Sequence, residues 1–263
     1  MEVKRMAIFT EPILSASMVL YNSGTQAAKA VQCFQDSDIP LDLYIIDNAP
    51  GDATCQRLLW QCPGIQYRPQ PKNLGYGRAN NVVIPELRSQ YHLICNPDVT
   101  FDKTLLSSMV QYMEVNRDCA ILTPRVFHAD GTEQHLPKRA PTVRYLLGGL
   151  FEKLPGPFAA WRSEYTLRDN DIQVPTCVEF ATGCFMLIRT GFLRQLGGFD
   201  PRYFLYHEDS DLSRRALRLG SIVYHPDMCV THDWKRSEGR TWHRLRHHIA
   251  STFRYFHVWG WKW

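Results

Sequence analysis

A chain of 263 residues with 44% hydrophobic and 21% charged residues can form one large domain or two small ones, and it is too apolar to be disordered. Its net charge of +4 is mild and most of its basic residues are scattered, which argues against a nucleic-acid partner. The eight cysteines contain no C-x-x-C pair, the N-terminus lacks the apolar stretch of a signal peptide, and no apolar run is long enough to span a bilayer. We therefore expect a reduced, cytoplasmic protein, soluble or peripherally attached to a membrane.

The first half of the chain alternates predicted strands with predicted helices. Apolar runs predict strands at Ile13–Leu20, Leu41–Ile46, Ile65–Arg68 and Tyr91–Cys95. One helix is predicted after Asn22 or Ser23, either of which can cap it. Further helices are predicted over Thr54–Gln61, over Arg78–Ser89 and after Asp102, which caps the last of them. This alternation predicts an α/β fold with a doubly wound, mostly parallel sheet.

The second half is less regular. Pro137–Pro157 contains four prolines, which predicts a mobile loop with a short helix. Val178–Ile188 predicts a strand pair or a strand bent around Gly183. Ser210–Leu219 predicts a helix with Gly220 at its C′ position.

Two polar segments follow strands of the first half. In doubly wound sheets, ligands bind beyond the carboxyl ends of the strands, so Asp47-Asn48 and Asn96-Pro97-Asp98 are expected near one crevice. A carboxylate such as Asp98 can hold a divalent cation that bridges the oxygens of a diphosphate. The same residue types also form ordinary turns, and for this segment alone composition favours the turn.

A third segment, Phe204–Leu212, places three carboxylates directly after aromatic residues: Glu208, Asp209 and Asp211. The N-terminus of a helix stabilises negative charge, which explains one or two of them. A carboxylate at such a position in a cleft can also accept a proton from an alcohol.

The C-terminal stretch predicts a basic helix with an aromatic face. Its apolar residues recur at helical spacing, at Trp242, Leu245, Ile249, Phe253, Phe256 and Trp259. Such a helix lies in a membrane interface or packs on its own domain, and the sequence favours neither. His243 and His247 are four residues apart, but a solvated basic face is favoured over a metal site because no carboxylate or cysteine accompanies them.

The order of these motifs resembles that of the family 2 glycosyltransferases, and within them bacterial rhamnosyltransferases of surface-polysaccharide (O-antigen or lipopolysaccharide) assembly. The match runs from about Ile13 to about His232. It comprises Val19–Asn22, Asp47-Asn48, Asn73–Asn81, Asn96-Pro97-Asp98, Gly183–Met186, Gly197–Asp200 and Glu208–Leu212. Each motif alone is weak, but seven in the same order are a strong signal. The resemblance implies a GT-A fold with an acceptor-side subregion, and inversion at the anomeric carbon.

The resemblance also implies residue roles. Asp209 matches the general base, with Glu208 as its orienting neighbour. Asp98 matches the last carboxylate of the D-x-D metal motif, and His232 stands where many relatives have a further ligand, so Mg²⁺ or Mn²⁺ is implied. The residues implied to lie along the nucleotide are Tyr21, Asn22, Asp47, Asn48, Asn73, Gly75, Asn80 and Asn96.

The chain departs from the family pattern at Asn96, which replaces the first aspartate of the metal motif. Only one anionic ligand remains in that motif, so binding of the cation depends more on a further ligand from His232 or water. Asp47-Asn48 is followed by Ala49-Pro50, whereas relatives often have a small residue and then serine at these positions. This difference affects the predicted contacts with the nucleotide base.

We predict an inverting glycosyltransferase with dTDP-rhamnose, or else a UDP-sugar, as donor and a saccharide or lipid-linked saccharide as acceptor. One catalytic domain is predicted over 1–263. It consists of a donor half (10–125), an acceptor half (126–235) and a C-terminal helix (236–263). Within the C-terminal helix, 240–263 is the segment that would contact a membrane. A non-catalytic nucleotide-sugar or glycan binding protein is the alternative that Asn96 supports. A sugar nucleotidyltransferase is disfavoured because the first loop contains only Gly24.

Overall fold

The computed structural model describes residues 12–51, 62, 64–234 and 242–263, and in them the chain forms a nine-stranded sheet with helices on both faces. The strands are β1 (Leu14–Leu20), β2 (Leu41–Asp47), β3 (Gln66–Pro69), β4 (Tyr91–Cys95), β5 (Val99–Phe101), β6 (Cys119–Phe127), β7 (Thr176–Cys177), β8 (Phe185–Arg189) and β9 (Ser221–His232). Their order across the sheet is β3-β2-β1-β4-β8-β6-β9-β5, with β7 on β9.

The helices are α1 (Gly24–Gln35), α2 (Tyr76–Asn81), α3 (Leu105–Val115), α4 (Val143–Phe151), α5 (Phe158–Thr166), α6 (Thr190–Gln195), α7 (Glu208–Ala216) and α8 (Trp242–Trp259), with a 3₁₀ turn at Ile84–Glu86. Among the described helices, none is long and apolar enough to cross a bilayer.

The sheet is mostly parallel, because its two longest ladders, β1 with β2 and β6 with β9, are parallel. Strand β1 is buried along its whole length, as expected of a central strand covered on both faces. On one face it belongs to a buried cluster with α1 and α3, and on the other its Val19 belongs to a cluster that includes residues of α2, α6 and α7. The prediction of an α/β, mostly parallel sheet is confirmed.

The second half of the sheet is mixed. Strand β8 is antiparallel to both β4 and β6, and β5 is antiparallel to β9. One continuous sheet therefore runs through both halves predicted from the sequence, and the predicted division at 125/126 falls inside β6.

Helix α8 packs on the turn that precedes α7. Tyr203, Tyr255 and Phe256 form a small buried cluster, against which Trp259 is partly buried. Most of the apolar stripe predicted along the helix is exposed. Trp242, Leu245, Ile249 and Phe253 are 75%, 41%, 47% and 59% exposed.

Several element boundaries differ from prediction for identifiable reasons. The helix expected over Arg78–Ser89 is shorter and gives way to the 3₁₀ turn, where Pro85 has no backbone N–H to donate. The segment Pro137–Pro157, predicted as a loop with a short helix, contains the nine-residue helix α4, and its prolines lie on either side of that helix. The predicted helix Thr54–Gln61 lies outside the described residues.

Two glycine-based expectations were also wrong in detail. Strand β8 begins only at Phe185, since the backbone at Gly183 turns its N–H towards Asp209. Helix α7 ends at Ala216, so Gly220 is not its C′ residue. A side chain at Gly220 would lie 2.3 Å from the Asp118 carbonyl oxygen, and this close approach is what requires glycine there.

Candidate active site

Asp98 and His232 come together where β4 leads into β5. The antiparallel ladder pairs Val99 with His232, which places the imidazole beside the preceding aspartate. His232 Nε2 lies 3.2 Å from Asp98 Oδ1 and 3.5 Å from the Asn96 side-chain nitrogen. The His232 and Asp98 side chains are 9% and 18% exposed, so their polar atoms face a nearly closed corner.

This corner supplies a partial ligand set for a divalent cation. One carboxylate and one imidazole fit Mg²⁺ or Mn²⁺ in proteins that complete the coordination shell with substrate phosphates and water. Within the described part of the chain, no group of three His, Cys, Asp or Glu side chains forms a complete metal site. A cation here would therefore need oxygens from a bound diphosphate or water.

Asp209 lies at the start of α7 and is held by backbone donors. Its Oδ2 accepts a hydrogen bond from Gly183 N at 3.1 Å, and its Oδ1 accepts one from Ser210 N at 2.8 Å. Burial raises the pKa of Asp209, while these two N–H groups and the nearby Lys138 ammonium act in the opposite direction. The pKa of Asp209 stays above its ordinary value, because the donors offset the effect of burial only in part, and a carboxyl group with a raised pKa in a poorly solvated position suits a general base.

Glu208 has a different environment. Its side chain is buried, and its Oε2 has no hydrogen-bond partner. Burial first, and the neighbouring Asp209 second, raise the pKa of Glu208 to about 8. Of the adjacent carboxyl groups, Glu208 is therefore the one that holds a proton at neutral pH. The bonds that orient Asp209 come from Gly183 and Ser210, so the implied orienting role of Glu208 finds no support in these contacts.

The two carboxylates, Asp98 and Asp209, flank one short stretch of backbone. Asn96 N donates to Cys184 O at 2.8 Å, and the adjacent Gly183 N binds Asp209. Burial raises the pKa of the Cys184 thiol to about 12, and Asp98 and Asp209 both add to that increase. The pKa of this one buried thiol is thus raised by both carboxylates.

Asp211, the third carboxylate of the segment, is structural. It is 2% exposed and accepts hydrogen bonds from Arg215 Nε at 2.7 Å and Trp259 Nε1 at 2.9 Å. It therefore ties α7 to α8.

Three residues implied to contact the nucleotide are buried and use their polar atoms internally. Asp47 accepts from Tyr67 Oη and Ala49 N, and Asn48 bonds the backbone of Leu74 and Gly75. Asn80 accepts from Ser17 Oγ and donates to Tyr76 O. They are respectively 2%, 4% and 2% exposed, and these bonds hold the loops around the crevice. Their contact with the nucleotide stays a prediction.

The remaining implied nucleotide contacts stay closer to the surface, except Gly75. Tyr21 is 56% exposed, Asn22 is exposed with φ of 53°, and Asn73 and Asn96 are partly buried. A side chain at Gly75 would lie 2.1 Å from the Phe204 carbonyl oxygen. That contact with the turn before α7 explains the glycine without any ligand.

Two residues near the site were not singled out from the sequence. Lys138 Nζ lies 5.9 Å and 5.1 Å from the ring centres of Tyr165 and Phe180, close to Asp209, and burial lowers its pKa to about 8. Gln134 Oε1 lies 3.2 Å from His232 Nδ1. Lys138 falls in a proline-rich stretch without a motif, whereas the Asp130-Gly131 turn signal after β6 could have drawn attention to Gln134.

Sequence comparison connects this arrangement to known enzymes. The family model described as Glycosyl transferase family 2 matches residues 15–197. An N-acetylglucosaminyl-diphospho-decaprenol L-rhamnosyltransferase of Mycobacterium tuberculosis is 28% identical over 258 residues, covering 91% of this chain and 82% of the relative. Rhamnosyltransferase WbbL of Escherichia coli is 27% identical over 198 residues, covering 69% of each chain.

Solved structures show the same fold. A mannosyltransferase, PcManGT, from Pyrobaculum calidifontis in complex with GDP-Man and Mn²⁺ aligns with a TM-score of 0.62 at 13% identity. The alignment covers 95% of this chain and 65% of that one. S. aureus TarS 1-349 in complex with UDP aligns with a TM-score of 0.57 at 15% identity, covering 83% of this chain and 59% of TarS 1-349.

Proposed function

This chain belongs to glycosyl transferase family 2 and has the GT-A fold, and on that premise we propose that it is an inverting rhamnosyltransferase. The proposed reaction moves L-rhamnose from dTDP-rhamnose to a hydroxyl of a lipid-linked saccharide of a growing surface glycan. Two relatives named as rhamnosyltransferases, one of them for a diphospho-decaprenol acceptor, support the sugar and the acceptor class. A UDP-sugar is the alternative donor.

The observation that carries the proposal is the placement of Asp98 and Asp209 on either side of the Asn96–Cys184 contact. A single displacement needs a group that stabilises the leaving diphosphate and a base that takes the proton of the attacking hydroxyl. The corner of Asp98 and His232 serves the first purpose, and Asp209 serves the second.

Asp98 and His232 would hold Mg²⁺ or Mn²⁺, with Asn96 beside them. When bound, the cation supplies charge neutralisation for the departing nucleotide diphosphate. The nearly closed corner limits competing water around these side chains, which strengthens their interaction with charge.

Asp209 accepts the proton of the acceptor hydroxyl as its oxygen attacks the anomeric carbon. The Gly183 and Ser210 N–H groups donate to its two oxygens, which fixes the orientation of the carboxylate and favours its ionised form. Glu208, which retains its proton, adds no second negative charge that would raise the pKa of the base further. One base opposite the leaving group gives inversion at the anomeric carbon.

The exposed side of α8 fits contact with a membrane that presents a lipid-linked acceptor. Its outward apolar residues are Trp242, Leu245, Ile249 and Phe253. Between Trp242 and Trp263 the sequence contains arginines, a lysine and histidines but no aspartate or glutamate, which suits an anionic lipid surface.

The proposal is tested by incubating the protein with a panel of nucleotide sugars and lipid-linked acceptors in Mg²⁺, Mn²⁺ or EDTA. We expect transfer from dTDP-rhamnose, loss of transfer in EDTA, and a product whose anomeric configuration by NMR is opposite to that of the donor. Binding without turnover would favour the non-catalytic alternative. Pyrophosphate release from a nucleoside triphosphate and a sugar phosphate would favour a nucleotidyltransferase.

A further inference from the structure

We propose that Gln134 is a positioning residue of the metal corner, which holds the His232 ring so that Nε2 faces Asp98 and the cation. The inference rests on the proposed function, since it assumes that the corner of Asp98 and His232 binds a divalent cation. The contacts around the Gln134 amide carry the argument.

The orientation of the Gln134 amide is fixed by its neighbours. Its Nε2 lies 2.9 Å from the His232 carbonyl oxygen and 3.3 Å from the Phe127 carbonyl oxygen. Carbonyl oxygens only accept hydrogen bonds, so the NH₂ group must lie on their side. A flipped amide would place oxygen against two oxygens. The Gln134 Oε1 atom is therefore the one that faces the imidazole.

That orientation determines which nitrogen of His232 carries a proton. Oε1 is an acceptor and lies 3.2 Å from His232 Nδ1, so Nδ1 must be the donor. Nε2 is then the nitrogen available as a ligand, and it points at Asp98 Oδ1 from 3.2 Å. Histidine ligands in metal sites commonly have the other ring nitrogen held by such a partner, which fixes both tautomer and ring angle.

A tight turn after β6 places Gln134 beside His232. His128 N donates to Thr132 O at 2.7 Å, and Asp130 Oδ1 accepts from Thr132 N and Oγ1 within the turn. Gly131, with φ of 83°, adopts the left-handed conformation that the turn needs. The chain then returns beside β6, where Gln134 N donates to Val126 O at 2.9 Å. The backbone thus fixes Gln134 independently of His232.

The test compares Mn²⁺ binding by wild type, Gln134→Met and Gln134→Glu, with dTDP present and free Mn²⁺ measured by EPR. Methionine has similar length but cannot accept the Nδ1 proton, whereas one oxygen of glutamate can. The second glutamate oxygen would face the Phe127 and His232 carbonyl oxygens, so this variant also loses two hydrogen bonds. We expect Gln134→Met to weaken Mn²⁺ binding about tenfold or more, and Gln134→Glu to weaken it less. Gln90→Met is the matched control, because Gln90 bonds Tyr91 and Glu114 away from the corner.

Electron spin-echo modulation of the bound Mn²⁺ gives a second readout that a purely structural role would not change. The wild type and Gln134→Glu are expected to show a directly coordinated ¹⁴N, and Gln134→Met to lose it. Equal Mn²⁺ affinity in wild type and Gln134→Met, equal losses in both Gln134 variants, or no Mn²⁺ binding by wild type would each overturn the inference. Sugar transfer by the wild type is measured separately, so failure of the proposed function remains distinguishable.

Discussion

At the scale of single residues, Glu208 and Asp209 are sequence neighbours with different surroundings. Asp209 accepts two backbone N–H bonds, whereas the buried Oε2 of Glu208 has no partner. Burial disfavours the charged form of each. The N–H groups of Gly183 and Ser210 favour charge on Asp209, whereas on Glu208 only its own backbone N–H acts in that direction. The neutral form is therefore favoured more strongly at Glu208 than at Asp209.

The neutral Glu208 has a measurable effect on stability. Its pKa rises from an ordinary 4.5 to about 8 in the folded protein. Below the lower value both folded and unfolded states hold the proton. Between the two values only the folded state holds it, so the free energy of unfolding falls as pH rises. A glutamine at this position cannot titrate.

We therefore predict that Glu208→Gln gains stability relative to wild type as pH increases from about 5 to about 8, by at most about 1.4 kcal/mol per pH unit. Urea unfolding at several pH values measures it. Glu152→Gln, in a partly exposed pair with Arg168, is the control and should not show this slope. A parallel pH dependence for Glu208→Gln and wild type would show that Glu208 is ionised in the folded protein.

At the scale of elements, the turn before α7 is strained and is held from two sides. Tyr206 and His207 adopt positive φ of 71° and 63° in succession. On one side α8 holds them, through Ser251 Oγ to Leu205 O at 2.8 Å and the stacking of Tyr255 on His207. On the other side, Tyr76 N donates to Phe204 O at 3.0 Å.

The contact at Gly75 allows a matched test of this packing. Gly75→Ala would place a methyl group 2.1 Å from Phe204 O, in a residue with φ of 82°. Gly51 also has a positive φ, of 114°, but an added methyl group there meets nothing within 4 Å. We predict that Gly51→Ala costs about 1–2 kcal/mol and Gly75→Ala roughly 1–3 kcal/mol more, measured by chemical unfolding. Similar losses in the two variants would contradict the described approach of loop and turn.

The elements that could be predicted from sequence are those whose local pattern matches their burial. Strands β1, β2 and β4 are apolar runs that end in polar residues, and their bounds agree with prediction within a residue or two. Strand β8 was harder, because only the contact of Gly183 with Asp209 shows where it begins. The sequence also did not show which face of α8 packs on the domain, because the helix has two neighbouring apolar faces.

The same limit applies to the site. Motif order brought attention to Asp98, Asp209 and His232, and the structure places Asp98 beside His232. Burial of Asp47 and Asn48 could not be predicted, because a polar residue at a strand end has the same local pattern whether it faces a ligand or a neighbouring loop. Gln134 is separated from His232 by 98 positions, and only the fold joins them.

At the scale of the whole molecule, the outward side of α8 is apolar and its flanks are basic. Leu245, Ile249 and Phe253 are 41%, 47% and 59% exposed, although the same helix holds the turn before Asp209 by its inner side. A membrane contact through α8 would therefore place the turn before α7 close to the lipid surface.

We predict that the full chain co-sediments with vesicles containing anionic phosphatidylglycerol more than with neutral phosphatidylcholine vesicles. Replacing Leu245, Ile249 and Phe253 together by serine should weaken binding more than about tenfold, since each buried side chain contributes about 1.5–3 kcal/mol. Leu150→Ser with Leu154→Ser, at residues 60% and 54% exposed elsewhere, is the control. Unchanged binding by the α8 variant would contradict the proposed membrane contact.

The central claim is that Asp209 acts as the base while the corner of Asp98 and His232 holds the diphosphate through a cation. The most direct test measures sugar transfer and Mn²⁺-dependent nucleotide binding on the same preparation of Asp209→Asn. Asparagine keeps the size of the side chain but cannot take a proton, so transfer is expected to fall about 10²–10⁴-fold while nucleotide binding stays near wild type. Transfer by Asp209→Asn at the wild-type rate would contradict the account.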